Sequence, residues 1–230
     1  SGWDTRGRHE AELIKDIVEN VSTYLSAKLP SYDDNLVGIE SRVRDMEKIL
    51  EIGLDDKRVV GIWGMGGVGK TTLARVVSKK ISCEFEGHSF IANVRNTFQK
   101  EGLISLQKKL LSDLKIKDME ISNQYKGKDM IIKYLSNKKV LLVLDDVDHM
   151  NQLQNLAQSP KWFGTGSRVI ITTRDWHLLF TSKVQRIYEM KTMKEDESLQ
   201  LFSNKAFNKK HLETDYLELS ESVVKYAGGL

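Results

Sequence analysis

Arg58-Val-Val-Gly-Ile-Trp63-Gly64-Met-Gly-Gly-Val-Gly69-Lys70-Thr71-Thr72 is the stretch from which the rest of the chain can be read. Before it, apolar residues recur at helical spacing. From Val59 they run consecutively, as in a strand buried on both faces. That strand enters a turn in which Gly64, Gly66, Gly67 and Gly69 flank Met65 and Val68, and a new helical pattern opens behind it. The turn matches the pattern G-x-x-x-x-G-K-[ST]. A loop that wraps a phosphate must aim successive backbone N–H groups inward, through angles that glycine adopts cheaply. The helix behind adds its own unpaired N–H groups and the positive end of its dipole. On this chemistry Lys70 lays its ammonium along the β- and γ-phosphates, the Thr71 hydroxyl ligates Mg2+, and Thr72 reaches the α-phosphate. Gly64, Gly66, Gly67, Val68 and Gly69 form the backbone of the cradle. A chance match is on the order of a per cent at ordinary glycine content, and this one has the required strand before it and helix after it.

Two later strands end in residues that suit the same chemistry. Lys139-Val-Leu-Leu-Val-Leu144 runs into Asp145 and Asp146. An acid at such a strand end holds the Mg2+ shell, a role that falls to Asp145. Asp146 is placed to orient or deprotonate an attacking water. Arg168-Val-Ile-Ile-Thr172-Thr173 runs into Arg174 and Asp175. Ligands of open parallel sheets sit at the carboxyl ends of strands. Arg174 therefore reads either as a sensor of a γ-phosphate or as a surface arginine paired with Asp175.

Buried-strand patterns fall at 58–63, 89–94, 140–144, 168–172 and 186–190, with helical patterns at 102–114, 127–136 and 150–158. Strands alternating with helices predict an α/β chain with a parallel sheet covered on both faces, the three-layer fold of P-loop NTPases. Helical patterns at 194–207 and 212–226 mark the start of a small helical subdomain. Toward the other end, residues 1–31 read as one amphipathic helix closed by Pro30, and 41–52 as a second. The expected division is a linker helix over 1–34, a nucleotide-binding domain over 35–190 and a helical subdomain from 191. Trp63 and Trp162 read as core or subdomain packing, and Trp3 as packing of the linker helix.

Composition narrows the function. Of 230 residues, 40% are hydrophobic and 29% charged, yet the formal net charge is only +3. The lysine pairs are scattered, as on solvated helix faces, rather than gathered into the basic face of a nucleic-acid binder. No apolar run approaches the ~20 residues that span a bilayer. Cys83 is the single cysteine, which rules out an intrachain disulfide and fits a reducing compartment, the cytoplasm or also the nucleus. The five histidines show no metal-ligand spacing with Cys83. The chain opens on Ser rather than Met and reads as a fragment of something longer.

The base is expected to be adenine. Guanine-selective proteins carry an N-K-x-D signature after a strand; here Asn137-Lys138-Lys139-Val140 lacks the Asp and precedes its strand. The blocks GIWGMGGVGKTTLA, FIANVR, KVLLVLDDVD, GSRVIITTRD, LQLFSNKAF and AGGL stand in the order found in NB-ARC domains. These are the nucleotide-binding switches of plant disease-resistance proteins and apoptotic scaffold proteins, and the resemblance covers Asn35 to Leu230. Asp148 closing LDDVD is similar to the subgroup with an N-terminal TIR domain, and the opening SGWD resembles the link behind such a domain.

The resemblance implies roles as well as a fold. Val37 and Gly38 match the segment that lies against the adenine. Lys70, Thr71 and Thr72 match the phosphate and Mg2+ ligands, Asp145 the Mg2+-linked acid and Arg174 the sensor arginine. Gly228-Gly229-Leu230 begins the GLPL motif. It further implies an ADP/ATP switch: ADP holds a closed form, and exchange for ATP permits self-association, with TIR and leucine-rich-repeat domains in the same full-length protein. Two other functions stay open on sequence alone, a turnover P-loop ATPase and an interaction scaffold with a weakened nucleotide site.

Overall fold

The computed structural model describes residues 36–116, 120–206 and 217–230. The helix expected over 1–31, Trp3 within it, and the first part of the helix expected over 212–226 lie outside the described residues. The chain divides into two compact units, Ser1–Leu36 and Val37–Leu230, and the second carries the fold.

It begins with α1 (Ile39–Leu50), which buries Val43, Met46 and Leu50 along one stripe. Then follow β1 (Arg58–Trp63), α2 (Lys70–Ile81), β2 (Gly87–Ile91), α3 (Val94–Glu101), α4 (Leu103–Asp113) and α5 (Gln124–Leu135). The sequence continues with β3 (Val140–Leu144), α6 (Met150–Leu156), β4 (Arg168–Thr173), α7 (Trp176–Thr181), β5 (Arg186–Glu189), α8 (Glu195–Ala206) and α9 (Leu217–Ala227). The five strands form one sheet in the order β2-β3-β4-β1-β5, every pair parallel.

Burial explains the order. β3 and β4 are buried at every position and β1 at all but Trp63. Their apolar runs suit the middle of a sheet covered on both faces. β5, whose end residues are exposed, takes one edge and β2 the other. Ile91, Leu110, Ile131, Leu142, Leu144, Leu156 and Ile171 meet in one apolar core. From β1 the chain crosses to the far edge and works back through β3 to β4. The connection after β4 then leaves toward β5 instead. The crevice between the carboxyl ends of β1 and β4 is thus the switch point where ligands of such sheets bind.

Several boundaries differ from the sequence reading, each for a visible reason. The expected strand 89–94 ends at Ile91, because Asn93 takes a left-handed backbone (φ 52°) and starts α3. The expected helix 102–114 is α4, and α3 before it is an additional helix. Gly102 (φ 78°, ψ −178°) separates α3 from α4. α7 was not expected at all. The Asp175 carboxylate caps it, accepting from the His177 and Leu178 N–H groups. Trp162 joins the core as expected, while Trp63 is only partly buried against it.

His88 on β2 gives the fold a pH dependence. Its Nε2 shares a 2.6 Å hydrogen bond with the Ser78 hydroxyl on α2. Burial lowers the imidazole pKa, partly offset by the charge of Asp113. A folded-state pKa below the unfolded value means that the unfolded chain binds the proton first. Stability is therefore complete above the ordinary histidine pKa and falls as pH drops through it. Between about pH 7.5 and about pH 5 the urea midpoint of His88→Gln is expected to fall less than that of the parent protein. Equal falls would show that His88 does not carry the dependence.

Candidate functional site

At the carboxyl end of β1 the glycine turn delivers the chain into α2. Gly69 is the residue before the helix and has φ 98°, which a side chain would strain. The first N–H groups of α2 have no partner within the helix and open into a cleft of about 280 Å3. Gly66, Gly67, Gly69, Lys70, Thr71, Thr72, Asn93, Asp146, Thr172 and Arg174 line it.

Lys70 is 7% exposed. Its ammonium donates to the carbonyls of Gly64 (2.8 Å) and Met65 (2.6 Å). Burial and then the nearby Arg174 charge lower its pKa, against the pull of Asp146 and Asp145. A weakly solvated cation held by two neutral acceptors retains a third N–H to offer an anion.

Behind Thr71 lies Asp145, 1% exposed. Its Oδ1 accepts from the Thr71 hydroxyl (2.7 Å) and the Thr172 hydroxyl (2.8 Å). Its other oxygen is buried with no hydrogen-bond partner. A buried carboxylate with a free oxygen beside a hydroxyl at a helix start is an all-oxygen donor set suited to a hard divalent cation. Among the described residues no three His, Cys, Asp or Glu side chains gather as a metal cage. A Mg2+ ion at this place would take its remaining ligands from phosphate and water.

Asp146 and Arg174 meet across the cleft mouth, Oδ1 to Nε 3.5 Å. Arg174 does not pair with Asp175, whose carboxylate caps α7. The indole N–H of Trp63 donates to the Arg174 carbonyl at 3.2 Å, tying the end of β1 to the end of β4. The cleft thus brings together most of the residues singled out in the sequence. Gly64 and Val68, within the loop, are buried.

Val37 and Gly38 stand just before α1. Gly38 (φ 66°) precedes α1, its carbonyl accepts from Arg42, and a Cβ there would collide with the Glu197 carboxylate. Arg42 grips Glu197 with two hydrogen bonds, 3.1 and 2.9 Å, joining α1 to α8. Neither Val37 nor Gly38 is among the residues that line the cleft. Asn93 and Thr172 border it without having been singled out. Asn93 falls inside the strand expected over 89–94, and Thr172 at the end of the one expected over 168–172.

A second cavity, about 240 Å3, lies between α6 and the end of α7, lined by Val59, Leu153, Ile171 and Val184 with Lys183 as its one charged residue. It has no glycine turn and no acid. No helix among the described residues is long and apolar enough to cross a membrane.

Comparison with known proteins gives the family. The chain is 41% identical over 232 residues to the disease resistance protein RUN1 of Vitis rotundifolia, all of this chain and 17% of that protein. It is also 41% identical over 234 residues to the TMV resistance protein N of Nicotiana glutinosa, 99% of this chain and 20% of that protein. It therefore spans about a fifth of the length of these relatives. Among solved structures, the ORC2 protein of Aeropyrum pernix (ADPNP-ADP complexes) superposes with a TM-score of 0.51 at 16% identity, over 84% of this chain and 59% of that one. That likeness is one of fold. The NB-ARC domain family matches residues 40–212, and with that span of a 230-residue chain this protein belongs to the NB-ARC family.

Proposed function

We propose that this domain is the adenine-nucleotide switch of a plant intracellular immune receptor, holding ADP at rest and ATP when active. The observation that carries the reading is the convergence of the Lys70 ammonium, the Thr71–Asp145 pair and the Asp146–Arg174 pair on one glycine-walled cleft. In this reading the loop from Gly64 to Gly69 and the first turn of α2 bind the β-phosphate, with Lys70 along the β- and γ-phosphates and Thr72 at the α-phosphate. Thr71 and Asp145 hold Mg2+, which supplies positive charge for the phosphate oxygens. Asp146 orients water, Arg174 senses the γ-phosphate, and Val37 and Gly38 serve the adenine side.

The proposed organisation is a linker helix over 1–34, a nucleotide-binding domain over 35–190 and the start of a helical subdomain over 191–230. One contact closes the helical part on itself, and another brings its last residue to the phosphate loop. Met193 N–H donates to the Gly229 carbonyl at 2.9 Å. Leu230 Cδ2 lies 3.9 Å from where a Cβ on Gly67 would stand. A ligand shifts such an arrangement only by its differential affinity for the two states. Exchange for ATP then loosens the helical part, permits self-association and brings TIR domains of the full-length protein together, while leucine-rich repeats supply the sensing end.

Denaturing the purified full-length protein and identifying released nucleotide by chromatography tests the reading. Near-stoichiometric ADP is expected. Guanine nucleotide would overturn the adenine assignment, and a folded protein with no nucleotide would point to a scaffold. Steady-state phosphate release at ~1 s⁻¹ or faster would instead identify a turnover ATPase.

A further inference from the structure

Asn93 stands at the start of α3, where asparagine ordinarily caps a helix with its side chain. Here it does not. Its backbone is left-handed (φ 52°, ψ 47°) rather than extended, and no cap hydrogen bond forms. The first two N–H groups of α3 find partners just past the end of β3 instead. Val94 N–H donates to the Asp145 carbonyl at 2.8 Å and Arg95 N–H to the Asp146 carbonyl at 3.2 Å. Those two bonds fasten the end of β2 to the end of β3. They hold Asn93 beside Asp146, which is itself left-handed (φ 56°). Both residues line the same cleft. Of the five non-glycine residues with positive φ among those described, only these two do so. The Asn93 amide is exposed and forms no hydrogen bond within the described residues. Strained backbone of this kind concentrates where a side chain must be aimed.

We infer that Asn93 is a water- and phosphate-positioning residue of the nucleotide site, working opposite Arg174 and beside Asp146. The inference rests on the nucleotide reading above and adds a residue to it. In hydrolysis a water oxygen bonds to the γ-phosphorus as the bond from that phosphorus to the β–γ bridging oxygen breaks. One water proton stays on the new P–OH group. The other passes to the Asp146 carboxylate and then to the departing phosphate, leaving ADP and inorganic phosphate. The Asn93 amide offers both a donor and an acceptor. It can hold the water by its carbonyl while its NH2 faces a γ-phosphate oxygen. The contact exists for the triphosphate and not for the diphosphate.

The alternative role for Asn93 is backbone alone, since asparagine tolerates left-handed angles. Asn93→Gly separates the two, because glycine keeps the backbone and removes the amide. Asn93→Asp keeps the size and removes the donor. The test measures ADP affinity and single-turnover ATP hydrolysis of the full-length protein and both variants. Hydrolysis is expected to slow about 10- to 100-fold in each, as for loss of a group that positions a proton transfer, with ADP affinity within about twofold. Unchanged hydrolysis in Asn93→Gly would overturn the inference and leave a backbone role. An equal loss of ADP affinity would also overturn it, showing that the loop shapes the whole cleft. A parent protein that binds ADP but hydrolyses no ATP sinks the inference and spares nucleotide binding. A parent that binds no adenine nucleotide sinks the reading beneath it, and the inference with it.

Discussion

In Lys70→Ala, ADP affinity is expected to fall about 100-fold with the fold intact. Lys70 is buried, and its ammonium is held in place by the Gly64 and Met65 carbonyls. A cation so placed enters a phosphate contact already oriented. Deleting one partner of a buried, hydrogen-bonded charge pair costs about 2–5 kcal/mol; taking about 3 kcal/mol gives about two decades in affinity. The fold survives because the deletion removes a desolvated charge whose pKa burial already lowers. Of the two loop carbonyls left behind, that of Met65 belongs to an exposed residue and can turn to water. Lys70→Arg is the sharper control. Arginine keeps the charge but brings a planar fork where a compact ammonium fits, so it should lose about tenfold rather than recover. Isothermal titration with ADP, alongside circular dichroism, reads both. An Ala variant that binds ADP within about threefold of the parent would remove Lys70 from the site.

Much of this arrangement was legible in the sequence because it is written in local chemistry. β1, β3 and β4 are continuous apolar runs, and a run such as Val140–Leu144 flanked by charges has few other places to go than the middle of a sheet. Residues at the ends of such strands then share one edge by topology alone, which is how Asp145, Asp146 and Arg174 could be grouped before any distance was known. Hidden features depended on partners far away in the chain. α3 begins where it does because Asp145 and Asp146, some fifty residues on, supply its capping carbonyls. α7 has six residues, too few for a helical period to show. Arg174 reads from the sequence either as a γ-phosphate sensor or as a surface arginine paired with Asp175. Asp175 being taken by α7, the arginine turns to Asp146. Val37 and Gly38 came from resemblance alone, and Gly38 is packed against Arg42 and Glu197.

The second large effect is expected from the other arginine of β4. Arg168 is wholly buried at the amino end of the strand. Its guanidinium donates to the carbonyls of Leu50 (2.6 Å), Glu51 (2.8 Å), Leu54 (3.2 Å), Asp56 (2.6 Å) and Ser167 (3.0 Å), and to the Asp56 carboxylate (2.9 Å). It thus closes the carboxyl end of α1 and the turn behind it onto the sheet, where a cation also suits the helix dipole. Arg58 grips the same Asp56 (2.7 Å) and reaches Glu51 (3.0 Å). Burial lowers the Arg168 pKa while Asp56 opposes it. Arg168→Met keeps much of the volume and removes six hydrogen bonds, although Ser167, Glu51 and the Asp56 carboxylate each keep another donor. The expected loss is about 4 kcal/mol, a large part of the ~5–15 kcal/mol that holds a domain together. For a unit of this size it corresponds to a melting temperature lower by about 8–16 °C. Arg168→Lys should lose roughly half as much, about 2 kcal/mol, since it keeps the charge without the fork. Urea unfolding with an unchanged m-value measures it, and a loss under about 1 kcal/mol would mean that water replaces the guanidinium at little cost. The six residues of β4 put about 20 Å between this cluster and the cleft. At that separation effects are independent, so folded Arg168→Met should bind ADP within about threefold of the parent. If affinity falls with stability instead, β4 transmits strain from one end to the other, and Arg174 depends on the buried cluster for its position.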